Sequence, residues 1–249
     1  MRRFENTVVL ITGAAAGIGR ATALRMAAEG ADLFLVDVAE ERLEESAGLA
    51  SQTGARVEHR TCDLSRPESA EEIVSDCVKV YGRLDVLCNI AGIVRMDRTH
   101  ELELEDWNRV IAVNLTGTML MCRAAIPHLL ETRGNIVNTG STSGLQGMPW
   151  GAAYASSKGG VIALTRSLAV EYGGEGMRAN AICPGSIDTA MTNPDMIPKG
   201  ANMKLIHRIM PLDRSRGPET VASVIAMVAS GDGIHINGET IRVDGGTLA

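Results

Sequence analysis

Tyr154 and Lys158 stand four residues apart in "AAYASSKGG", Ala152 to Gly160, in a chain with only three tyrosines. An α-helix turns once per about 3.6 residues, so the two side chains share a face and can address one point. A phenol beside an ammonium can act together in proton transfer. The same spacing occurs in any ordinary helix turn, so the pair gains meaning only from its surroundings. Upstream, "TGAAAGIG", Thr12 to Gly19, follows a β-branched run and opens a helix-like one. Glycines there permit a tight turn and let backbone N–H groups approach a ligand, while the helix N-terminus offers unpaired donors and partial positive charge to a phosphate. A dinucleotide pyrophosphate suits that place, with Gly13, Ala16, Gly17, Ile18 and Gly19 around it. The spacing is G-x-x-x-G-x-G, not the more familiar G-x-G-x-x-G. A plain strand-to-helix connection would use glycines as well.

Asp37 lies 18 residues beyond Gly19, at the end of the run "LFLVD". An acid at that place accepts hydrogen bonds from the adenosine-ribose hydroxyls and repels a 2′-phosphate, which predicts NAD over NADP. No arginine or lysine follows Asp37 directly, and Ala15 and Ala16 are uncharged. Capping of a helix starting near Glu40 is the other use for this carboxylate. Val38 adjoins it on the same edge. "TCDLS" sets Cys62, Asp63 and Leu64 after the third run, where Asp63 can reach an adenine amino group or cap a helix near Pro67. "CNIAG" brings Asn89, Ala91 and Gly92 to the nucleotide edge of the fourth.

The elements that position these residues alternate. Strand-like runs at 7–11, 32–36, 56–60, 84–88, 135–139, 178–182 and 240–243 are separated by helix-like segments near 17–29, 40–52, 67–81, 105–131, 154–172 and 218–229. That order means successive βαβ units and a parallel sheet. The expected fold is α/β: one domain over residues 1–249, an open, doubly wound sheet of about seven parallel strands with helices on both faces. The one long irregular stretch, about 186–211, holds prolines 194 and 198 and is expected to be a mobile substrate-binding loop or lid.

Composition narrows the partners. With 45% hydrophobic residues the 249-residue chain can build a sizeable core, and its net charge of -6 argues against nucleic acid or anionic membrane as a partner. Five cysteines, odd in number and never spaced C-x-x-C, suggest buried thiols in a reducing, cytoplasmic compartment rather than a disulfide framework or zinc site. No metal site is legible. "MRRF" before an apolar run has the outline of a signal peptide, but Glu5, Asn6 and the glycines interrupt it, so export is not expected. No segment approaches the 18 or more apolar residues of a membrane span.

Thr12-Gly13-x-x-x-Gly17-x-Gly19, Asn89-x-Ala91-Gly92, Asn114 in "VNLTG", Ser141 in "NTGSTSG", Tyr154-x-x-x-Lys158 and "CPGSIDT" occur in order. In this the chain resembles the short-chain dehydrogenase/reductase family, over essentially its whole length. One departure is Ile90, where the family usually carries a second asparagine; a small local adjustment beside the adenosine is expected. The resemblance implies a Rossmann-type fold and a catalytic tetrad of Asn114, Ser141, Tyr154 and Lys158. Tyr154 would be the acid/base for a carbinol proton, its pKa lowered from about 10 by Lys158. Ser141 would hold and polarise the substrate oxygen. Asn114 would help hold a proton-relaying water by family analogy, with Tyr154 and Lys158 also contacting the cofactor. The "CPGSIDT" element would border the nicotinamide through Pro184, Gly185, Ile187 and Thr189, and the two long helices would pair across subunits in a homotetramer or homodimer.

The substrate is expected to be a small-molecule alcohol or ketone of apolar or mixed character, walled by Ser141, Ser143, Met148, Trp150, Tyr154 and Ser186, with Leu145, Arg95, Met96 and the methionines at 191, 196, 203 and 210 nearby. Arg95, Lys199, Lys204 and His207 could meet a carboxylate or phosphopantetheine, or face solvent. Three functions follow. One is an NAD-dependent interconversion of secondary alcohol and ketone. The second is a 3-oxoacyl thioester reductase, which Asp37 counts against because such reductions commonly use NADPH. The third is a non-catalytic dinucleotide sensor, which has no need of a tetrad. "GSTSG" is not G-x-S-x-G, and no G-x-x-x-x-G-K loop occurs.

Overall fold

The computed structural model describes residues 2–191 and 194–249. Seven strands form one sheet: β1 (Val8–Thr12), β2 (Asp32–Asp37), β3 (Val57–Thr61), β4 (Val86–Asn89), β5 (Asn135–Thr139), β6 (Arg178–Pro184) and β7 (Thr240–Val243). Every pairing is parallel and the order is β3-β2-β1-β4-β5-β6-β7. The strand order reverses between β1 and β4, and in such sheets a ligand crevice opens outside the strand C-termini at that point.

Alternation along the strands sends side chains to opposite faces. Val9 and Ile11 pack with Met26 of α1 (Gly17–Ala28), Leu43 of α2 (Glu40–Ser51) and Ile225 of α7 (Glu219–Ala229). Val8 and Leu10 pack with Ile73 of α3 (Ser69–Tyr81), Met121 of α5 (Thr118–Thr132) and Leu168 of α6 (Ala152–Tyr172). The central β1 and β5 are buried throughout, whereas the edge strand β3 exposes Glu58, His59 and Thr61. Each fully buried Leu or Ile of the centre contributes about 1.5–3 kcal/mol relative to exposure. The doubly wound sheet of the sequence reading is present, with strand ends shifted by one or two residues.

The expected single helix over 105–131 is three pieces. α4 (Leu104–Ile111) runs into a π-helical segment, Ala112–Gly117, and then into α5. A π segment adds a residue per turn and gathers at functional sites; this one holds Asn114, and no 3.6-residue periodicity could reveal it. The stretch Leu104–Thr132 is also long and apolar enough to cross a membrane, which corrects the reading that no segment qualifies. Half of its most apolar window is buried inside the domain, and the buried residues of α5 face the second core cluster.

Between Ser186 and Pro211 the described chain forms short 3-10 turns, Pro194–Met196 and Met203–Ile209. Residues 192 and 193 of the expected loop lie outside the described residues. Of the five free cysteines, four are buried and Cys62 is partly exposed.

Candidate active site

The turn after β1 is made by backbone geometry. Gly13 has φ +72, and a Cβ on it would stand 2.7 Å from the Ala91 nitrogen; one on Gly19 would stand 1.9 Å from the Gly13 carbonyl oxygen. No side chain fits at either place, so the turn lies close against Ala91 just beyond β4, with the Ala14 N–H held by the Val36 carbonyl and the Ala15 N–H by Asp37. Ala16 precedes the first turn of α1 in extended conformation, with Ile18 in that turn. Thr12 Oγ1 accepts from the backbone N–H groups of Ile90 and Ala91 at 3.1 and 3.2 Å, fastening the two sides of the crevice. Ile90 itself packs on the first core cluster.

Asp37 ends β2 and accepts from the Ala15 N–H through Oδ2 and the Ala39 N–H through Oδ1, both at 3.0 Å. Ala39 is the N-cap residue of α2, so one carboxylate oxygen fastens the start of that helix while the other fastens the glycine turn. Two lone pairs remain on a carboxylate so engaged. Val38 beside it is 67% exposed, an apolar surface on the crevice edge. Asp63 accepts from Ser65 N–H at 2.9 Å, which holds its carboxyl below the usual range, and α3 begins at Ser69 rather than near Pro67. Cys62 is partly buried, and the Leu64 carbonyl would stand 2.7 Å from a Cβ on Gly117 of the π segment.

Asn89 closes β4 with a side-chain network that the sequence did not show. Its amide is buried and donates to Asn138 Oδ1 at 2.8 Å and to Cys122 Sγ at 3.4 Å, and Asn138 donates to Thr165 Oγ1 of α6 at 2.9 Å. The side chain therefore ties β4 to β5 and α5, and through Asn138 to α6.

The tetrad residues come together on the β4–β5 side. Lys158, buried on α6, donates from Nζ to the Thr139 carbonyl at the end of β5 at 2.8 Å. A Cβ on Gly92 would lie 3.4 Å from that Nζ and 3.3 Å from Asn114 Oδ1, so Gly92 keeps the approach to both open. Asn114 is clamped: its Nδ2 donates to the Ile93 carbonyl (2.8 Å) and Ser157 Oγ (3.1 Å), and its Oδ1 accepts from Ile93 N–H (2.8 Å). Ser141 hydrogen-bonds the Tyr154 side chain, and its Oγ accepts from Ser143 N–H at 3.1 Å.

The electrostatics differ from the sequence reading. Burial, the largest cause, raises the Tyr154 phenol above its ordinary value, opposed by the Ser141 hydrogen bond. Burial also pulls Lys158 down to about 8. Lys158 Nζ lies 5.9 Å from the Tyr154 ring centroid, turned toward Thr139. Desolvation thus outweighs the expected attraction between the pair. Beneath them, Cys183 is pushed up to about 11 by burial.

The β6 end roofs the crevice. Pro184 closes the strand, a Cβ on Gly185 would meet Asp244, Ile187 is buried, and the Thr189 methyl would stand 3.3 Å from a Cβ on Gly17. Ser186 Oγ pairs with Ser215 Oγ at 3.0 Å, tying the two loop segments together. Of the other expected substrate walls, Ser143 Oγ donates to Met148 Sδ at 3.2 Å, and Trp150 sits at φ 59 with its carbonyl taking the Asp97 N–H at 2.8 Å. Arg95 is bound to Asp97 and Asp106. Sequence reasoning missed the cleft beyond Met148, about 410 Å³, lined by Gln146, Gly147, Met148, Pro149, Leu205, Arg208 and Ile209. None of the tetrad lines it; Met148 links it to Ser143 and thence to Ser141.

Residues 13–247 match the sequence profile of a family described as Enoyl-(Acyl carrier protein) reductase. The chain is 42% identical over 248 residues to meso-2,3-butanediol dehydrogenase of Serratia marcescens, covering 99% of this chain and 96% of that one. It is 40% identical to the 3-oxoacyl-(acyl-carrier-protein) reductase FabG of Thermotoga maritima, over 99% of both. Among solved structures, a short-chain dehydrogenase from Mycobacterium paratuberculosis bound to NAD superposes with a TM-score of 0.93 at 30% identity, covering 98% of each chain. Another from Burkholderia cenocepacia in complex with NADP gives 0.90 at 31%, covering 99% of this chain and all of that one. With its glycine-rich turn, parallel sheet and Tyr-x-x-x-Lys helix, the chain belongs to the short-chain dehydrogenase/reductase family, nicotinamide-dependent oxidoreductases acting on CH–OH groups.

Proposed function

We propose that the protein interconverts a small secondary alcohol and its ketone with NAD in preference to NADP, using Tyr154 as acid/base. The observation that carries this is the meeting of Tyr154, bonded to Ser141, with buried Lys158 and clamped Asn114 around Gly92 at the crevice. The bound nicotinamide would exchange a hydride with the carbinol carbon. The glycine turn from Gly13 to Gly19 fits the pyrophosphate. The free lone pairs of Asp37 fit the ribose hydroxyls, with Val38, Asp63, Ala91, Pro184, Gly185, Ile187 and Thr189 bordering the rest. In reduction, Ser141 holds the carbonyl oxygen while Tyr154 gives it a proton; in oxidation the proton returns. The raised Tyr154 pKa keeps the phenol protonated, the form that reduction requires. The Lys158 cation steadies the phenolate left behind.

A thioester reductase is the second reading, supported by the 40% identity to the Thermotoga reductase and opposed by Asp37. We place the protein in the cytoplasm on its five free thiols, and we assign the 186–211 segment a mobile, substrate-covering role. Leu104, 71% exposed, and Val170, 86% exposed, support pairing of the two long helical stretches between subunits. Initial rates with secondary alcohols, vicinal diols, cyclic ketones and 3-oxoacyl thioesters test the function. The expected result is turnover of free alcohols or ketones, lost by about 10²–10⁴-fold in Tyr154→Phe with NADH affinity nearly kept. Substantial activity in that variant refutes the acid/base role, and turnover of thioesters alone selects the second reading.

A further inference from the structure

The cleft beyond Met148 carries donors and no matching acceptor. Its walls come from the loop between β5 and α6 and from the 3-10 turn Met203–Ile209. Met148, Pro149, Leu205 and Ile209 make it mostly apolar. Two side chains are not. The Gln146 amide nitrogen is buried with no hydrogen-bond partner, and the exposed Arg208 side chain at the cleft has neither an ion pair nor a hydrogen bond among the described residues. Other arginines nearby are engaged: Arg95 by Asp97 and Asp106, Arg98 by the Lys199 carbonyl, Arg216 by Asp213. The buried Gln146 donor is unfavourable until it meets an acceptor, and the exposed Arg208 is free to turn toward the same one. No carboxylate lines the cleft. An incoming acceptor would therefore be matched by a planar guanidinium and an amide N–H, a donor set that suits a carboxylate.

Position supplies the rest. Met148 is both a wall of the cleft and the acceptor for Ser143 Oγ, whose N–H holds Ser141 Oγ. A Cβ on Gly151, where α6 begins, would stand 2.7 Å from Met148 Sδ. Met148 therefore stands at the boundary between this cleft and the Ser143–Ser141 end of the site, a flexible thioether that a substrate reaching from one to the other would displace.

We propose that this cleft is the distal substrate subsite and takes the carboxylate end of a hydroxy or oxo acid, held by Arg208 and Gln146 across a short apolar linker. The proposal rests on the alcohol/ketone reading and names its substrate class.

Rates of NADH oxidation with methyl-ketone acids of increasing chain length, each beside its neutral methyl ester, test it. At its best chain length the wild-type protein should favour the acid by about tenfold or more in kcat/KM, through KM, and added salt should narrow the gap. Arg208→Met should lower kcat/KM for that acid about tenfold more than for its ester. Arg208→Lys should regain part of the loss, and Gln146→Leu should give a smaller one. If acid and ester are equal at every length, or the preference survives Arg208→Met, the subsite is overturned. If no ketone is reduced, the alcohol/ketone reading falls separately. Calorimetric dissociation constants of the same acids and esters on dinucleotide-loaded protein then decide the subsite: a tenfold preference lost in Arg208→Met supports it, and equal binding overturns it.

Discussion

The β1–β4 side of the crevice is built mostly from backbone and the β4–β5 side from side chains. On the first, Gly13 and Gly19 leave no room for a Cβ, Thr12 latches two N–H groups, and Asp37 holds the turn through Ala15. On the second, buried Lys158, clamped Asn114 and the Ser141–Tyr154 bond form a fixed polar cluster, while Met191, Met203 and Met210 of the long irregular stretch stay exposed. The first side fits a ligand of fixed shape that every catalytic cycle shares. The second pairs a rigid cluster with an adaptable stretch, where one protein of this fold can differ from the next.

Three substitutions probe that division. Gly19→Ala puts a methyl 1.9 Å from the Gly13 carbonyl, so the turn must open. We expect a loss of about 3 kcal/mol or more in stability and of dinucleotide affinity with it, read by urea melts and NADH titration. A tolerant variant would mean the turn is less fixed than its geometry. Lys158→Met tests the cost of the buried cation. The Lys158 pKa falls from 10.5 to about 8 on folding, so the unfolded chain binds more protons between those values and this residue's contribution to stability rises with pH there. Its charge costs about 3 kcal/mol below pH 8, offset in part by the Thr139 hydrogen bond. Ligand-free Lys158→Met should accordingly be the more stable protein at neutral pH, by about 2 kcal/mol. That advantage should shrink as pH rises from about 8 toward 10.5. A difference that does not vary with pH would contradict the assignment. The smallest effect is at Asp37: the wild type should favour NADH over NADPH by about tenfold, or 1.4 kcal/mol. Asp37→Ala should erase the preference and weaken NADH as well, because the Ala15 N–H loses its acceptor. Equal affinities in the wild type would remove Asp37 as the selector.

The two sides also differed in how far the sequence could be read. The glycine turn, the strand order and the Tyr-x-x-x-Lys helix are local signals, because period, spacing and turn residues dictate them. The side-chain network of Asn89 was not legible because its members Asn138, Cys122 and Thr165 lie 33 to 76 residues away. The π segment at Asn114 has the composition of ordinary helix. The Tyr154 pKa turned on burial, which outweighs a lysine whose ammonium faces Thr139. Arg208 was passed over among the basic residues of an irregular segment; only the fold shows that it faces Gln146 and Met148 across a cleft.

Deuterium transfer tests the central claim most directly. A secondary alcohol labelled at its carbinol carbon is incubated with NAD and wild-type protein or Tyr154→Phe, and the reduced cofactor is examined for label. The account predicts deuterium on the nicotinamide ring with the wild type and almost none with the variant, although both bind NADH. Label washed into solvent, or equal transfer by Tyr154→Phe, would contradict it.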